Sequence, residues 1–224
     1  MLLVKEIFGP TIQGEGETAG CPAIFIRFSG CNMWSGKPED QAGSQCPFCD
    51  TDFADGEKII VDRVVSEVLH LTKGKSNMLV VLSGGEPLLQ PEADLIDLIK
   101  QLHELGYTTQ VETNGTVNKR LILGMFDAVT CSPKLAPEEC KIDWKYVTAL
   151  KLLYPHPNPK ITPEDFDNEL SKLNSDNIHR FLQPIDKQDT RINLFNTNAT
   201  IQKVKELGLP WRLSLQTHKI IHQP

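Results

Sequence analysis

Apolar and polar positions along this chain sort into short apolar runs separated by stretches of helical period. AIFIRF at 23–28 predicts a strand. After a long polar loop, apolar positions 64, 65, 68, 69 and 71 predict a helix over Asp62 to Thr72. MLVVL at 78–82 predicts a buried strand that runs into Ser83-Gly84-Gly85. The next helix opens at Pro91 and stops at Gly106, a proline-start and glycine-stop arrangement. Further strands are expected at TTQVET (108–113), FDAVTC (126–131), VTALKLL (147–153), RFLQPI (180–185) and WRLSLQ (211–216), with a helix ending near Gly208 before the last.

Strands that alternate with helices and carry near-continuous apolar runs imply a parallel sheet. Seven such strands with helices on one side predict an α/β fold, a (β/α) barrel or partial barrel. No repeat, linker or low-complexity segment interrupts the pattern, so residues 1–224 are expected to form a single domain. In such sheets the chemistry sits at the carboxyl ends of the strands. The polar punctuation falls there: Gly30-Cys31, Ser83-Gly84-Gly85-Glu86, Glu112 to Gly115, Ser132-Pro133-Lys134, Gln183 to Asp186 and Gln216-Thr217-His218.

Composition narrows the function classes. An apolar fraction of 40% and a charged fraction of 23% are ordinary for a globular protein with a sizeable core. No apolar run approaches the ~18 residues of a membrane span. The start, MLLVKEIFGPTIQGEG, has an early acid and no signal-type apolar core. These features predict a cytoplasmic protein with no membrane partner. A net charge of −6 and the lack of basic blocks argue against nucleic acid as a partner.

Six cysteines are too few for a secreted disulfide scaffold. Three of them cluster: Cys31, then Cys46-x-x-Cys49 across a polar loop. Structural zinc asks for four Cys or His ligands. No histidine precedes His70, and the strand at 23–28 holds Cys21 roughly 20 Å from Cys31. Three thiolates without a fourth protein ligand suit a 4Fe–4S cluster with one open iron. Zinc remains the alternative from spacing alone. Cys21, Cys131 and Cys140 fit no such spacing and are expected to be small buried residues.

The three cysteines after the first strand, the Gly-Gly-Glu-Pro after the next and the βα pattern resemble the radical S-adenosylmethionine superfamily. That superfamily usually spaces its cysteines Cys-x3-Cys-x2-Cys; here the spacing is Cys-x14-Cys-x2-Cys. The longer spacing resembles a variant found in the 7-carboxy-7-deazaguanine synthases of queuosine biosynthesis. PTIQGEG at 10–16, PAIFIRFSGC at 22–31, CDT at 49–51, SGGEP at 83–87, VETNG at 111–115, SPK at 132–134, QPID at 183–186 and LQTHK at 215–219 carry the resemblance along nearly the whole chain.

The resemblance implies a lyase that contracts 6-carboxy-5,6,7,8-tetrahydropterin to 7-carboxy-7-deazaguanine with loss of ammonia. Its cofactors would be a 4Fe–4S cluster on Cys31, Cys46 and Cys49, S-adenosylmethionine, and Mg²⁺ at Thr51, where a hard oxygen ligand suits the ion. Cofactor contacts would come from Phe48, Cys49, Asp50, Gly85, Ser132, Pro133, Lys134, Gln183, Pro184, Ile185 and Asp186. Standing alone, Lys134 would be a solvated surface lysine. Substrate contacts would come from Ile12, Gln13, Gly14, Arg27, Ser83 and the carboxylate of Pro224. A guanidinium suits a substrate carboxylate because its donors match two oxygens at once, and a surface ion pair is the alternative for Arg27. GEGETAG at 14–20 is not a dinucleotide fingerprint, since its third glycine is one residue late and it precedes a strand; it is expected to be a substrate loop. Partners would be a flavodoxin-like electron donor and a second copy of the chain. A glycyl-radical activating enzyme and a zinc-bearing interaction module are the other functions the sequence admits.

Overall fold

The computed structural model describes residues 1–175, 177–187 and 189–224. In chain order the elements are β1 (Leu2–Ile12), β2 (Pro22–Phe28), α1 (Pro38–Gln41), β3 (Glu57–Ile59), α2 (Val61–Thr72), β4 (Leu79–Gly84), α3 (Glu92–Glu104) and β5 (Thr108–Thr113). They continue with α4 (Arg120–Leu123), β6 (Ala128–Cys131), β7 (Ala149–Tyr154), α5 (Pro163–Lys172), β8 (His179–Pro184), α6 (Thr190–Leu207), β9 (Trp211–Leu213) and α7 (Thr217–Ile220).

The strands form one sheet in the order β3-β1-β2-β4-β5-β6-β7-β8-β9. From β2 through β9 every neighbour pair is parallel, while β1 runs antiparallel to both β2 and β3. Since β3 and β9 do not pair, the sheet stays open: a partial barrel, as the strand–helix alternation predicts.

Two of the nine strands among the described residues are not anticipated by the apolar runs. In β1 the alternation breaks at Gly9-Pro10, where the pairing with β2 shifts register between Phe8 and Thr11; a proline inside a run argues against a strand. β3 is three residues long at the sheet edge. The expected strand at 211–216 keeps only Trp211–Leu213. Ser214 leaves it because its hydroxyl donates to Gln183 Oε1 at 2.9 Å and accepts from Gly16 N at 3.0 Å. The helix α5 also lay outside the expectations, although Thr162 caps it by accepting from Asp165 N at 3.1 Å.

Strand side chains alternate between two faces, and the two faces differ in chemistry. Ile24, Ile26, Val80, Leu82, Val111, Val129, Leu150, Leu152 and Leu182 point outward into the main core. There they meet Val64, Val68, Leu95, Leu98, Leu102, Phe166 and Leu170 of α2, α3 and α5. The inward positions begin with a small apolar cluster, Ala23, Phe25, Leu79 and Val81, and then turn polar: Arg27, Ser83, Gln110, Glu112, Thr130, Lys151 and Gln183. The helices thus shield an oily outer layer, and the concave face is left for chemistry.

The segment joining β1 to β2 lies across that concave face. It closes on itself through Gln13 N to Cys21 O (2.9 Å) and Gly20 N to Gln13 O (2.8 Å). Thr18 donates to Gln110 Oε1 at 2.6 Å, and Glu17 accepts from Thr148. GEGETAG is therefore a loop docked on β5 to β7, as its failure as a dinucleotide motif implied.

Candidate active site

At the carboxyl ends of the parallel strands the concave face encloses a cavity of about 370 Å³, within the range of small-molecule sites. Of the residues singled out in the sequence, Ile12, Gln13, Arg27, Cys31, Cys46, Phe48, Cys49, Asp50, Thr51, Ser83, Gly85, Ser132, Lys134, the Gln183–Asp186 stretch and Pro224 all line it. Gly14 and Pro133 are not in its wall. Gly14 matters for another reason: a Cβ there would come within 2.1 Å of His218 Nδ1. The missing side chain lets α7 close over the loop, with Thr217 donating to Gly14 O from N (3.0 Å) and from Oγ1 (2.9 Å).

The Gly-Gly-Glu-Pro turn holds the start of the cysteine loop. Gly84 adopts a φ of +126°, and a Cβ on Gly85 would sit 2.1 Å from Gly30 O. Only glycines permit that approach. Gly85 N then donates to Phe28 O (3.1 Å) and Glu86 N to Gly30 O (2.9 Å). The Glu86 side chain is fully buried and accepts from Thr113 Oγ1 (2.8 Å), Leu88 N (3.0 Å) and Asn114 N (2.7 Å). Burial raises its carboxyl above the ordinary range, and these donors pull it back. Asn114, so placed, donates to Cys31 Sγ at 3.8 Å and to Asn32 Oδ1 at 3.0 Å.

Within the loop, α1 and its surroundings support the other two thiols. Gln41 Nε2 donates to Cys49 O at 2.7 Å, and Cys46 N to Ser44 Oγ at 3.1 Å. Trp34 packs edge-on to Phe53 with centroids 5.3 Å apart. The fourteen residues between Cys31 and Cys46 therefore brace the cysteines and add Met33 and Trp34 to the cavity wall.

Burial pushes the Cys46 thiol up to about 11, with Lys134 pulling the other way and Cys49 and Cys31 adding to the rise. Cys31 is also raised, chiefly by burial. Cys31 and Cys46 thus resist ionisation alone, and with Cys49 they make a donor set that a cationic iron centre would deprotonate and neutralise. Among the described residues no three His, Cys, Asp or Glu side chains are drawn together around a single-ion point. Three cysteine thiols lining one cavity match the protein donor count of a 4Fe–4S cluster with one open iron, whereas structural zinc takes four.

Lys134 is not a solvated surface lysine. Its ammonium donates to Ser132 O (2.9 Å) and Ser132 Oγ (2.7 Å) at the cavity wall, and burial, with Lys151 adding repulsion, lowers its pKa. Arg27 forms the ion pair expected as its alternative role and also faces the cavity. It lines the cavity, and its Nε donates to Glu6 Oε1 at 2.7 Å while the guanidinium lies over the Phe8 ring. Cys131 is buried and Cys140 half-buried, but Cys21 is exposed, contrary to expectation: it sits just outside β2, where the docked loop returns to the sheet.

A buried charge cluster on the floor went unread in the sequence. Lys151 on β7 donates to Glu112 Oε2 on β5 at 2.8 Å and to Glu15 Oε2 on the docked loop. Burial opposes ionisation of Glu15, yet the Lys151 ammonium and the amides of Gln216 and Gln183 hold it down to about 2. Glu112 goes the other way: burial and the Glu15 charge raise it against the pull of Lys151. The two carboxylates are thus pushed apart, with Glu15 held ionised and the Glu112 charge disfavoured by burial and by its neighbour. The signal was available, since a lysine inside VTALKLL and a glutamate inside TTQVET cannot face an oily layer.

No established family profile matches the chain. It is 37% identical over 228 residues to the 7-carboxy-7-deazaguanine synthase of Burkholderia multivorans, covering 99% of this chain and 98% of that protein. The enzyme of the same name from Caulobacter vibrioides is 38% identical over 229 residues, with the same coverage. Among solved structures, QueE from Escherichia coli superposes with a TM-score of 0.65 at 26% identity, over 96% of this chain and 93% of that one.

Proposed function

We propose roles for the cavity residues from one premise: this chain belongs to the 7-carboxy-7-deazaguanine synthase family. It is a carbon–nitrogen lyase that converts 6-carboxy-5,6,7,8-tetrahydropterin to 7-carboxy-7-deazaguanine with loss of ammonia, using a 4Fe–4S cluster, S-adenosylmethionine and Mg²⁺. The glycyl-radical activase and zinc-module readings are not favoured.

The observation that carries the assignment of roles is the shared cavity. Three thiols occupy one wall, and a polar barrel face with a buried ion cluster forms the floor. When bound, the cluster and S-adenosylmethionine supply the reducing electron and the radical that starts the ring contraction. The side chains do the rest. Cys31, Cys46 and Cys49 hold the cluster, and Thr51, two residues past Cys49, offers Mg²⁺ a hard oxygen. Gly85, Phe48, Asp50, Ser132, Lys134 and Gln183 to Asp186 contact the S-adenosylmethionine, with Pro133 shaping that wall from behind.

On the opposite side Ile12, Gln13, Ser83 and Pro224 border the pterin, and Gly14 supports them from below. The Pro224 carbonyl oxygen accepts from Thr11 Oγ1 at 3.2 Å, which fixes the tail at the cavity rim. Arg27 takes the substrate carboxylate with the guanidinium nitrogens that Glu6 leaves. Glu15, held as a carboxylate, accepts from donors on the heterocycle, and Glu112 holds or releases a proton beside it. One compact chain with its electron donor, such as a flavodoxin, and a second copy as a homodimer complete the reading, in the cytoplasm. Among the described residues no helix is long and apolar enough to cross a membrane.

The test is anaerobic incubation of cluster-reconstituted protein with the carboxypterin, S-adenosylmethionine, Mg²⁺ and a low-potential reductant. Mass analysis should find 7-carboxy-7-deazaguanine and one equivalent of ammonia. Intact carboxypterin alongside cleaved S-adenosylmethionine would rule the substrate out.

A further inference from the structure

The loop that carries the cluster cysteines, the turn after β8 and the helix α7 come from three distant parts of the chain. They meet at one ammonium. Lys219 Nζ lies 2.7 Å from Asp50 Oδ2 and 2.6 Å from Asp186 Oδ2, and it also donates to Gln216 Oε1 at 3.0 Å. Gln216 extends the contact inward, since its Nε2 donates to Asp50 Oδ2 (3.2 Å) and to Glu15 Oε1 (2.9 Å). All five residues line the cavity. Asp186 is itself oriented by Asn193, whose Nδ2 donates to Asp186 Oδ1 at 2.6 Å.

The arrangement is a clasp. Asp50 directly follows Cys49, and Asp186 ends the Gln183–Asp186 stretch, so the two carboxylates stand on the two sides of the cavity's cofactor end. Without a cation between them they would repel across that mouth. Burial works against the Lys219 charge, but the hydrogen bonds to Asp186 and Asp50 outweigh it and raise its pKa, so the clasp is charged at neutral pH. Lys219 is more than a third exposed, so the pair is partly screened and its worth lies in geometry rather than global stability.

We infer that Lys219 is a positioning residue for cofactor binding: it joins Asp50 to Asp186 and so sets the width of the cavity end that receives S-adenosylmethionine. This rests on the reading of that end as the S-adenosylmethionine side. A methionine at 219 would keep the stem and remove the charge, leaving no ammonium between the two carboxylates. An arginine would keep a cation that can bridge two carboxylates.

The test is binding of S-adenosylmethionine to anaerobic, cluster-loaded protein by equilibrium dialysis, with iron and sulfide content and the Michaelis constant measured in parallel. Lys219→Met is expected to keep its iron and sulfide, bind S-adenosylmethionine about ten-fold or more weakly, and raise the Michaelis constant for it while kcat at saturation changes little. Lys219→Arg should recover most of the affinity. Wild-type affinity in Lys219→Met would overturn the inference, as would an equal loss in Lys219→Arg. Loss of iron and sulfide from both variants would also overturn it, because Lys219 would then serve loop folding. If the cluster-loaded wild-type protein binds no S-adenosylmethionine, the functional reading fails instead, and that outcome is distinguishable from the others.

Discussion

Lys151→Met is the most informative single change to the floor of the cavity. Lys151 is buried between Glu15 and Glu112, and methionine matches its length without its charge. The depression of the Glu15 carboxyl from 4.5 to about 2 corresponds to about 3 kcal/mol of favourable interaction in the folded state. Breaking a buried pair from one side costs ~3–5 kcal/mol, because the stranded charge keeps its desolvation penalty. At roughly 2–4 °C per kcal/mol for a chain of this size, Tm should fall by roughly 6–20 °C at neutral pH.

The pH dependence separates this cause from simple loss of packing. In the wild type the lowered Glu15 pKa contributes stability that is fully present above about 4.5 and is lost as pH falls toward 2. In the variant both carboxyls lose the ammonium and keep only the amides of Gln216, Gln183 and Gln110 against burial, so their folded values rise and acid relieves them. The Tm gap between the two proteins should therefore narrow between pH 8 and pH 5, as followed by circular dichroism. Adding Glu112→Gln to Lys151→Met removes one stranded charge and should recover part of the loss. A gap that is constant or widens toward pH 5, or a Tm indifferent to Lys151→Met, would refute the reasoning.

Cys31→Ala, Cys46→Ala and Cys49→Ala should each abolish cluster assembly, measured as iron and sulfide per chain, while Cys21→Ala should not; full occupancy in Cys46→Ala would dismiss the ligand set. Gly85→Ala should push its methyl into Gly30 O, destabilise the protein by about 1–3 kcal/mol and lower cluster occupancy by displacing Cys31. Chelator-treated protein should regain activity on addition of Mg²⁺, and Thr51→Ala should need more of the ion for half-maximal rate; an unchanged requirement leaves Thr51 as a turn residue. Arg27→Lys should raise the Michaelis constant for the carboxypterin more than that for S-adenosylmethionine, since an ammonium cannot bond Glu6 and a substrate carboxylate as a fork does.

The outward-facing layer was legible in the sequence because burial against helices leaves continuous apolar runs, and six of the seven expected strands fall within about two residues of their places. The cysteines, Gly85 and the turns after β4, β6 and β8 were legible because each follows a strand end. The rest depended on pairings the linear pattern does not carry. β1 hides behind a proline, and the Lys151–Glu15–Glu112 cluster joins residues of three separate segments. Gln216 and Lys219 look like ordinary polar residues until α7 folds back over Gly14.

The partners of the docked loop also set an order of events during synthesis. Gly16, Glu15 and Gly14 bond to Ser214, Gln216 and Thr217, which lie 198, 201 and 203 residues further along. At about 5–20 residues per second a ribosome needs on the order of 10–40 s to travel that distance. Through most of that interval the three thiols already exist on the nascent chain while the residues that roof them do not. Contacts of such long range are also among the slowest to form once the chain is complete. The thiols thus pass through a period without their roof, during which an iron–sulfur donor can reach them from solvent. The same opening exposes them to oxygen, so the thiols meet oxidants before α7 and its contacts to the docked loop have formed.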